Sequence, residues 1–225
     1  MNGEKGVTAP GPAPQTVGIL LFPDVEILDF FGPFHVFSRA ARPPGTEGGA
    51  ERWLFTVIGI AETADLITSC AGPSAGGQGR GMRVQPDHTL ANHPPVDILV
   101  IPGGPGTWPV LERWGVLDWV TAQHQAGALI TSVCTGAFLL GAVGLLAGKR
   151  ATTHWLFTEQ LRKRHPGTDV LSDTRVVDEG RIVTSAGVSA GIDMALHIVA
   201  RLHGEEIARR TARFMEYDWT ATALI

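Results

Sequence analysis

Residues 128–147 read ALITSVCTGAFLLGAVGLLA. Ala128–Val133 is an aliphatic and β-branched run of the length and character of a strand buried on both faces. Cys134 follows at once, then Thr135-Gly136 and a segment that suits a helix from Gly136 to Ala147. Strand, tight turn and helix in that order make a nucleophile elbow, which holds one side chain in a strained backbone conformation at the top of a sheet. The small residues after Cys134 let the turn close. Unpaired amides and the positive end of the following helix favour a thiolate there. The plainer reading is a small hydrophobe finishing a core strand, because unbridged cysteine is commonly buried.

Four more runs share the strand character: Val17–Phe22, Phe55–Ile60, Asp97–Ile101 and Arg181–Ser185. Helical patterns separate several of them. Gly32-Pro33 opens one through Ala40, with proline at the first helical position, where its missing N–H is harmless. Val110–Ala126 and Gly191–Leu202 are two more, the latter with Ile192, Ala195, Leu196 and Val199 on one stripe and Gly204 as its stop. Alternating strand and helix predict an α/β fold, a mostly parallel sheet with helices on both faces. Residues 16–225 read as a single domain and residues 1–15 as a flexible tail. Ala41–Ala50 reads as a loop. Thr68–Arg83 is glycine-rich and reads as a long exposed loop or a distorted hairpin.

The 225 residues are 44% hydrophobic and 18% charged, with a net charge of −4. A mildly acidic chain without a basic run predicts no nucleic-acid partner. The segment before the first strand has no apolar block, and no apolar run reaches the length of a membrane span. A cytoplasmic protein without a membrane partner is therefore expected. Two cysteines exclude a disulfide framework and a four-cysteine metal site. The histidines show no zinc-ligand spacing, so neither metal nor other cofactor is expected.

Sites in open α/β sheets form beyond the carboxyl ends of the strands. Asp24, Glu26 and Asp29 follow the first strand, Pro102-Gly103-Gly104 the third, Cys134-Thr135-Gly136 the fourth and Ala186-Gly187 the fifth. Acid, glycine-lined backbone and thiol converge on one rim. Asp29 sits among apolar neighbours, where burial would raise its pKa and keep it a proton donor; it equally suits a helix cap. Gly103-Gly104 lets backbone amides approach a ligand, and the Gly104 N–H with the Thr135 amide would make an oxyanion hole; a plain tight turn is the other reading. His154 is either a packed histidine or a return to the rim. Cys70 lacks strand or helix context and reads as a bystander.

The blocks ILLFPDVEILDFFGP, DILVIPGG, TSVCTGAFLLGAVGLLAGKRATTHW and TSAGVSAGIDMALHIVA, followed by MEYDW, resemble the ThiJ/PfpI superfamily, relatives of the class I glutamine amidotransferases. The resemblance covers about residues 16–219 and implies a flavodoxin-like three-layer sandwich and a homodimer. Leu28-Asp29 with Gly32-Pro33, and the stretch from SVCTG to ATTHW, most resemble the isonitrile hydratases and the amidotransferase-like domain of AraC-type regulators. In the hydratases the elbow cysteine, the next threonine and the aspartate before Gly-Pro serve catalysis, which implies Cys134, Thr135 and Asp29 here. Gly103, Gly104, Gly136 and His154 are then the expected substrate-side residues. The implied reaction hydrates an isonitrile, a small-molecule substrate, to an N-substituted formamide. Thr135 stands where peptidase-like members carry histidine, which argues against proteolysis. Glyoxalase-like chemistry on reactive carbonyls and a non-catalytic ligand or oxidation sensor are the alternatives. The regulators continue into a DNA-binding domain, whereas this chain ends six residues after Trp219, so no such role is expected of it. Pro73–Arg80 looks like an insertion relative to the family pattern.

Overall fold

The computed structural model describes residues 13–44, 50–70 and 81–220. Seven strands form the central sheet: β1 (Gln15–Leu21), β2 (Phe55–Ala61), β3 (His88–Thr89), β4 (Ile98–Ile101), β5 (Leu129–Val133), β6 (Val176–Asp178) and β7 (Ile182–Ser185). Their spatial order is β6-β7-β5-β4-β1-β2-β3. All neighbours pair in parallel except β6 and β7, which run antiparallel with Val176 opposite Ser185. The register sets Val17 against Val57 and Ile98, and Leu99 against Ile130. Every residue of β4 and β5 is buried, as expected for parallel strands covered on both faces.

Among the described residues, seven α-helices surround this sheet: α1 (Ile27–Arg39), α2 (Thr107–Val110), α3 (Trp114–Gln125), α4 (Ala137–Ala142), α5 (Thr158–Arg164), α6 (Ala190–His203) and α7 (Glu205–Phe214). The crossover through α1 leads from β1 toward one edge, and that through α3 leads from β4 toward the other. Right-handed crossovers in opposite directions put α1 and α3 on opposite faces. Helices α1, α6 and α7 pack on one another. The flavodoxin-like sandwich is thus realised, and the change of direction beside β1 opens its crevice at the strands' carboxyl ends. None of the described helices is long and apolar enough to cross a membrane.

The five expected strands all form, but several helix boundaries move. Helix α1 starts at Ile27, so Gly32-Pro33 lies in its interior rather than at its start. The pair serves packing instead. A Cβ on Gly32 would stand 2.9 Å from Ile192 Cγ1, and one on Gly191 would stand 3.3 Å from the Pro33 ring, so α1 and α6 approach closely there. The helix expected over Val110–Ala126 forms as α3 but starts only at Trp114, Val110 being the last residue of the short α2 before it, and the one expected over Gly136–Ala147 is regular only through Ala142. Gly204 adopts φ 98° and ends α6 as expected. Ala41–Arg42, expected in a loop, pairs with Arg52–Trp53, and Ile67–Thr68 pairs with Arg83–Val84, both antiparallel; the second pairing accords with the hairpin alternative for Thr68–Arg83. The Pro73–Arg80 insertion and most of the expected tail lie outside the described residues.

Candidate active site

Strand β5 runs directly into a 3-10 turn over Cys134–Gly136, with α4 following. Cys134 takes φ 58°, the left-handed conformation that β-carbon sterics disfavour. Its peptide is held from both sides. The Cys134 N–H donates to the Ala186 carbonyl at 3.1 Å, and the Thr153 hydroxyl donates to the Cys134 carbonyl at 2.6 Å. Gly136 is required by the close pass of β4, since a Cβ would sit 2.2 Å from the Ile101 carbonyl oxygen. The elbow is therefore built by neighbouring backbone as much as by its own residues.

Asp29 occupies the first turn of α1 and has no solvent exposure. It caps nothing. Its Oδ2 accepts the Gly103 N–H at 2.9 Å and its Oδ1 accepts the Val188 N–H at 3.1 Å, while the Cys134 thiol lies close enough to the carboxyl group to influence its proton. Burial is the dominant influence and lifts the Asp29 pKa from 3.8 to about 7; the charge of Glu26 adds to this, and the two amides and the thiol oppose it. Cys134 is pushed well above its ordinary value, first by burial and then by the negative field of Asp29. The thiolate expected from the helix end is thus not the resting state: α4 is only six residues long, and desolvation outweighs the Thr135 amide beside the sulfur. Cys134 rests as a thiol against a carboxyl group poised to exchange its proton near neutrality.

Thr135 is buried, and its hydroxyl connects the elbow to the loop after β4. It accepts the Gly104 N–H at 3.0 Å and pairs with the Thr107 hydroxyl at 2.8 Å. The Gly104 amide expected in an oxyanion hole is therefore engaged by Thr135, and Gly104 reaches the site only through that hydroxyl. Gly103 is required where Asp29 and Thr135 converge. A Cβ there would lie 2.5 Å from Thr135 Oγ1 and 3.0 Å from Asp29 Oδ2.

His154 lies beside this pair rather than on it. Its ring packs over Gly187, where a Cβ would come within 2.0 Å of it, and its Nδ1 accepts the Leu156 N–H at 3.3 Å. Burial lowers its pKa, favouring the neutral ring. An open cleft lined by Thr153, His154, Trp155, Arg175, Gly187 and Val188 meets the Asp29 site at Val188. Val188 was not anticipated. It adopts φ 55°, an outlier for a β-branched residue, and supplies one of the two amides on Asp29. Only the neighbouring Ala186-Gly187 hinted at that loop, because a backbone donor has no side-chain signature. Cys70 is also more than incidental: it is buried, and its thiol donates to Glu26 Oε2 at 3.1 Å.

Fold and elbow together define a flavodoxin-like α/β protein with a buried cysteine at the turn after a central strand. The chain belongs to the DJ-1/PfpI family, which it matches over residues 15–201. It is 34% identical over 201 residues to an isonitrile hydratase from Pseudomonas putida, covering 89% of this chain and 78% of that one. It is 30% identical over 213 residues to the HTH-type transcriptional regulator GbdR of Pseudomonas aeruginosa, covering 95% of this chain but 53% of the regulator. The crystal structure of a ThiJ/PfpI family protein from Pseudomonas syringae superposes with a TM-score of 0.75 at 28% identity, covering 96% of this chain and 84% of that one.

Proposed function

We propose that the chain is a cysteine-dependent enzyme that hydrates an isonitrile to an N-substituted formamide. The observation that carries this reading is the buried Asp29 carboxyl, gripped by two amides and facing the Cys134 thiol. The terminal carbon of an isonitrile accepts both a nucleophile and a proton, which is what this pair offers. Asp29 takes the thiol proton as sulfur bonds to that carbon, then delivers it to the same carbon, leaving a thioimidate with its C=N bond intact. Water adds to the thioimidate carbon while Asp29 moves a proton from the water to nitrogen. The C–S bond then breaks as the added hydroxyl becomes the formyl C=O, its proton passes through Asp29 to the sulfur, and the formamide leaves. Thr135 places the thiol through its amide, and Gly103 holds Asp29 in line.

Similarity to the regulator GbdR favours a second reading, a binding domain that does not turn its ligand over. One experiment separates the two. Purified protein is given cyclohexyl isocyanide and, separately, methylglyoxal, and formamide formation and methylglyoxal loss are followed. Formamide appearing in proportion to protein, and absent with Cys134→Ser, supports the hydratase. No turnover of the isonitrile by folded protein overturns it, and methylglyoxal loss alone replaces it with carbonyl chemistry.

A further inference from the structure

Behind the Asp29–Cys134 pair lies a second acid and thiol that the proposed reaction does not use. Cys70 donates to Glu26 Oε2 at 3.1 Å, and the two residues also form an isolated parallel bridge, with the Cys70 N–H donating to the Val25 carbonyl at 2.9 Å. Glu26 is tied to the Asp29 side as well. Its N–H donates to the Gly103 carbonyl at 2.8 Å, and the Gly103 N–H donates to Asp29 Oδ2 at 2.9 Å. A single residue, Gly103, therefore holds both acids. Glu26 is the extended residue just before α1 and Asp29 is the third residue of that helix, the N-cap and N3 positions, whose side chains lie near each other.

We propose that Glu26 is a positioning residue for Asp29 and that Cys70 fixes it: the thiol orients the Glu26 carboxylate so that its charge favours a proton on Asp29. Two nearby carboxylates resist being ionised together, and the resistance grows as water is excluded. Among the described residues, the titratable groups acting on Asp29 are Glu26 at the start of its own helix and Cys134 from the elbow. The loops after β4 and β7 present amides there, from Gly103 and Val188, and these pull the opposite way. Burial is the larger influence against them, and Glu26 is the charge that adds to it. This role rests on the hydratase reading only for what Asp29 does with its proton.

The test follows the Asp29 carboxyl carbon by 13C NMR across pH 4–9, its resonance identified by its loss in Asp29→Asn, with no substrate present. Glu26→Gln is expected to lower the Asp29 titration midpoint by at least ~0.5 pH unit, the modest end of what a neighbouring charge does. Cys70→Ala, which releases the carboxylate, is expected to lower it in the same direction, whereas Cys70→Ser, with a hydroxyl donor in place of the thiol, retains the original midpoint. An unmoved midpoint in folded Glu26→Gln overturns the role of Glu26, and equal midpoints in the Ala and Ser variants overturn that of Cys70. If Glu26→Gln does not fold, Glu26→Asp decides: a lowered midpoint supports the proposal and an unchanged one ends it. Because no isonitrile enters the measurement, its outcome stands apart from whether formamide is formed.

Discussion

The Val188 N–H and Asp29 Oδ1 are 3.1 Å apart, although 159 positions separate them in the chain. This bond ties the loop after β7 to the first turn of α1, across the elbow. Val188 reaches it only by adopting φ 55°, a conformation that crowds a β-branched side chain. The surrounding fold therefore sustains local strain to deliver one amide to the candidate acid.

Replacing Val188 separates strain from the hydrogen bond. Val188→Gly keeps the N–H and suits the positive φ, so urea unfolding should show stability unchanged or raised by up to ~1 kcal/mol. Val188→Pro can neither adopt the angle nor donate. Its formamide formation should lie at least ~10-fold below that of the glycine variant, the scale of losing a preorganised donor. Equal rates in the two variants would show that the amide does not matter.

Asp29→Asn tests the proton transfer itself. The amide is close in shape, but it cannot exchange a proton with the Cys134 thiol. The hydration rate with cyclohexyl isocyanide should fall at least ~100-fold, the scale of a general acid–base group. Activity near that of the parent would exclude Asp29 as acid or base.

The same carboxyl links stability to pH. Unfolded, Asp29 loses its proton near 3.8; folded, it keeps it to about 7. Between those values the folded chain binds more protons, so the contribution is whole below about pH 4 and is lost as pH rises through 7. Its size is on the order of 4 kcal/mol. Unfolding of the parent and Asp29→Asn at pH 4.5 and pH 7.5 should show the parent's relative stability declining at the higher pH. A difference that does not change with pH would contradict the raised value.

Cys134 should alkylate slowly with iodoacetamide at pH 7, since burial and the field of Asp29 both resist the thiolate. Removing that field in Asp29→Asn should speed the reaction at pH 8 by at least ~3-fold. Mass spectrometry of the Cys134 peptide reads both rates, and a slower reaction in the variant would reverse the assigned electrostatics.

What could be read from the sequence was whatever left a side-chain or periodic signature. The run ending at Val133, the cysteine after it and the acid among Ile27, Leu28 and Phe30 were visible, and the structure brings Cys134, Asp29 and Thr135 together. The start of α1 was misplaced because proline at Pro33 suits a first helical position; its close contact with α6 depends on chain that is distant in sequence. The partner of the Gly104 amide was misassigned because an N–H is identical at every non-proline residue. The glycine-rich surroundings of Cys70 carry no signal of its bond to Glu26, which spans 44 positions.

Both clamps on Asp29 come from main-chain N–H groups, at Gly103 and Val188, and these differ in what they permit. Gly103 admits no side chain without displacing the threonine and the acid. Val188 stands at the cleft with its side chain partly exposed, and any residue but proline that can adopt its positive φ keeps the N–H of the clamp. The loop after β7 thus separates two duties within one residue: its backbone holds Asp29 while its side chain lines the open cleft. Under the hydratase reading, substitutions at that position should alter which isonitrile is taken while leaving the clamp in place.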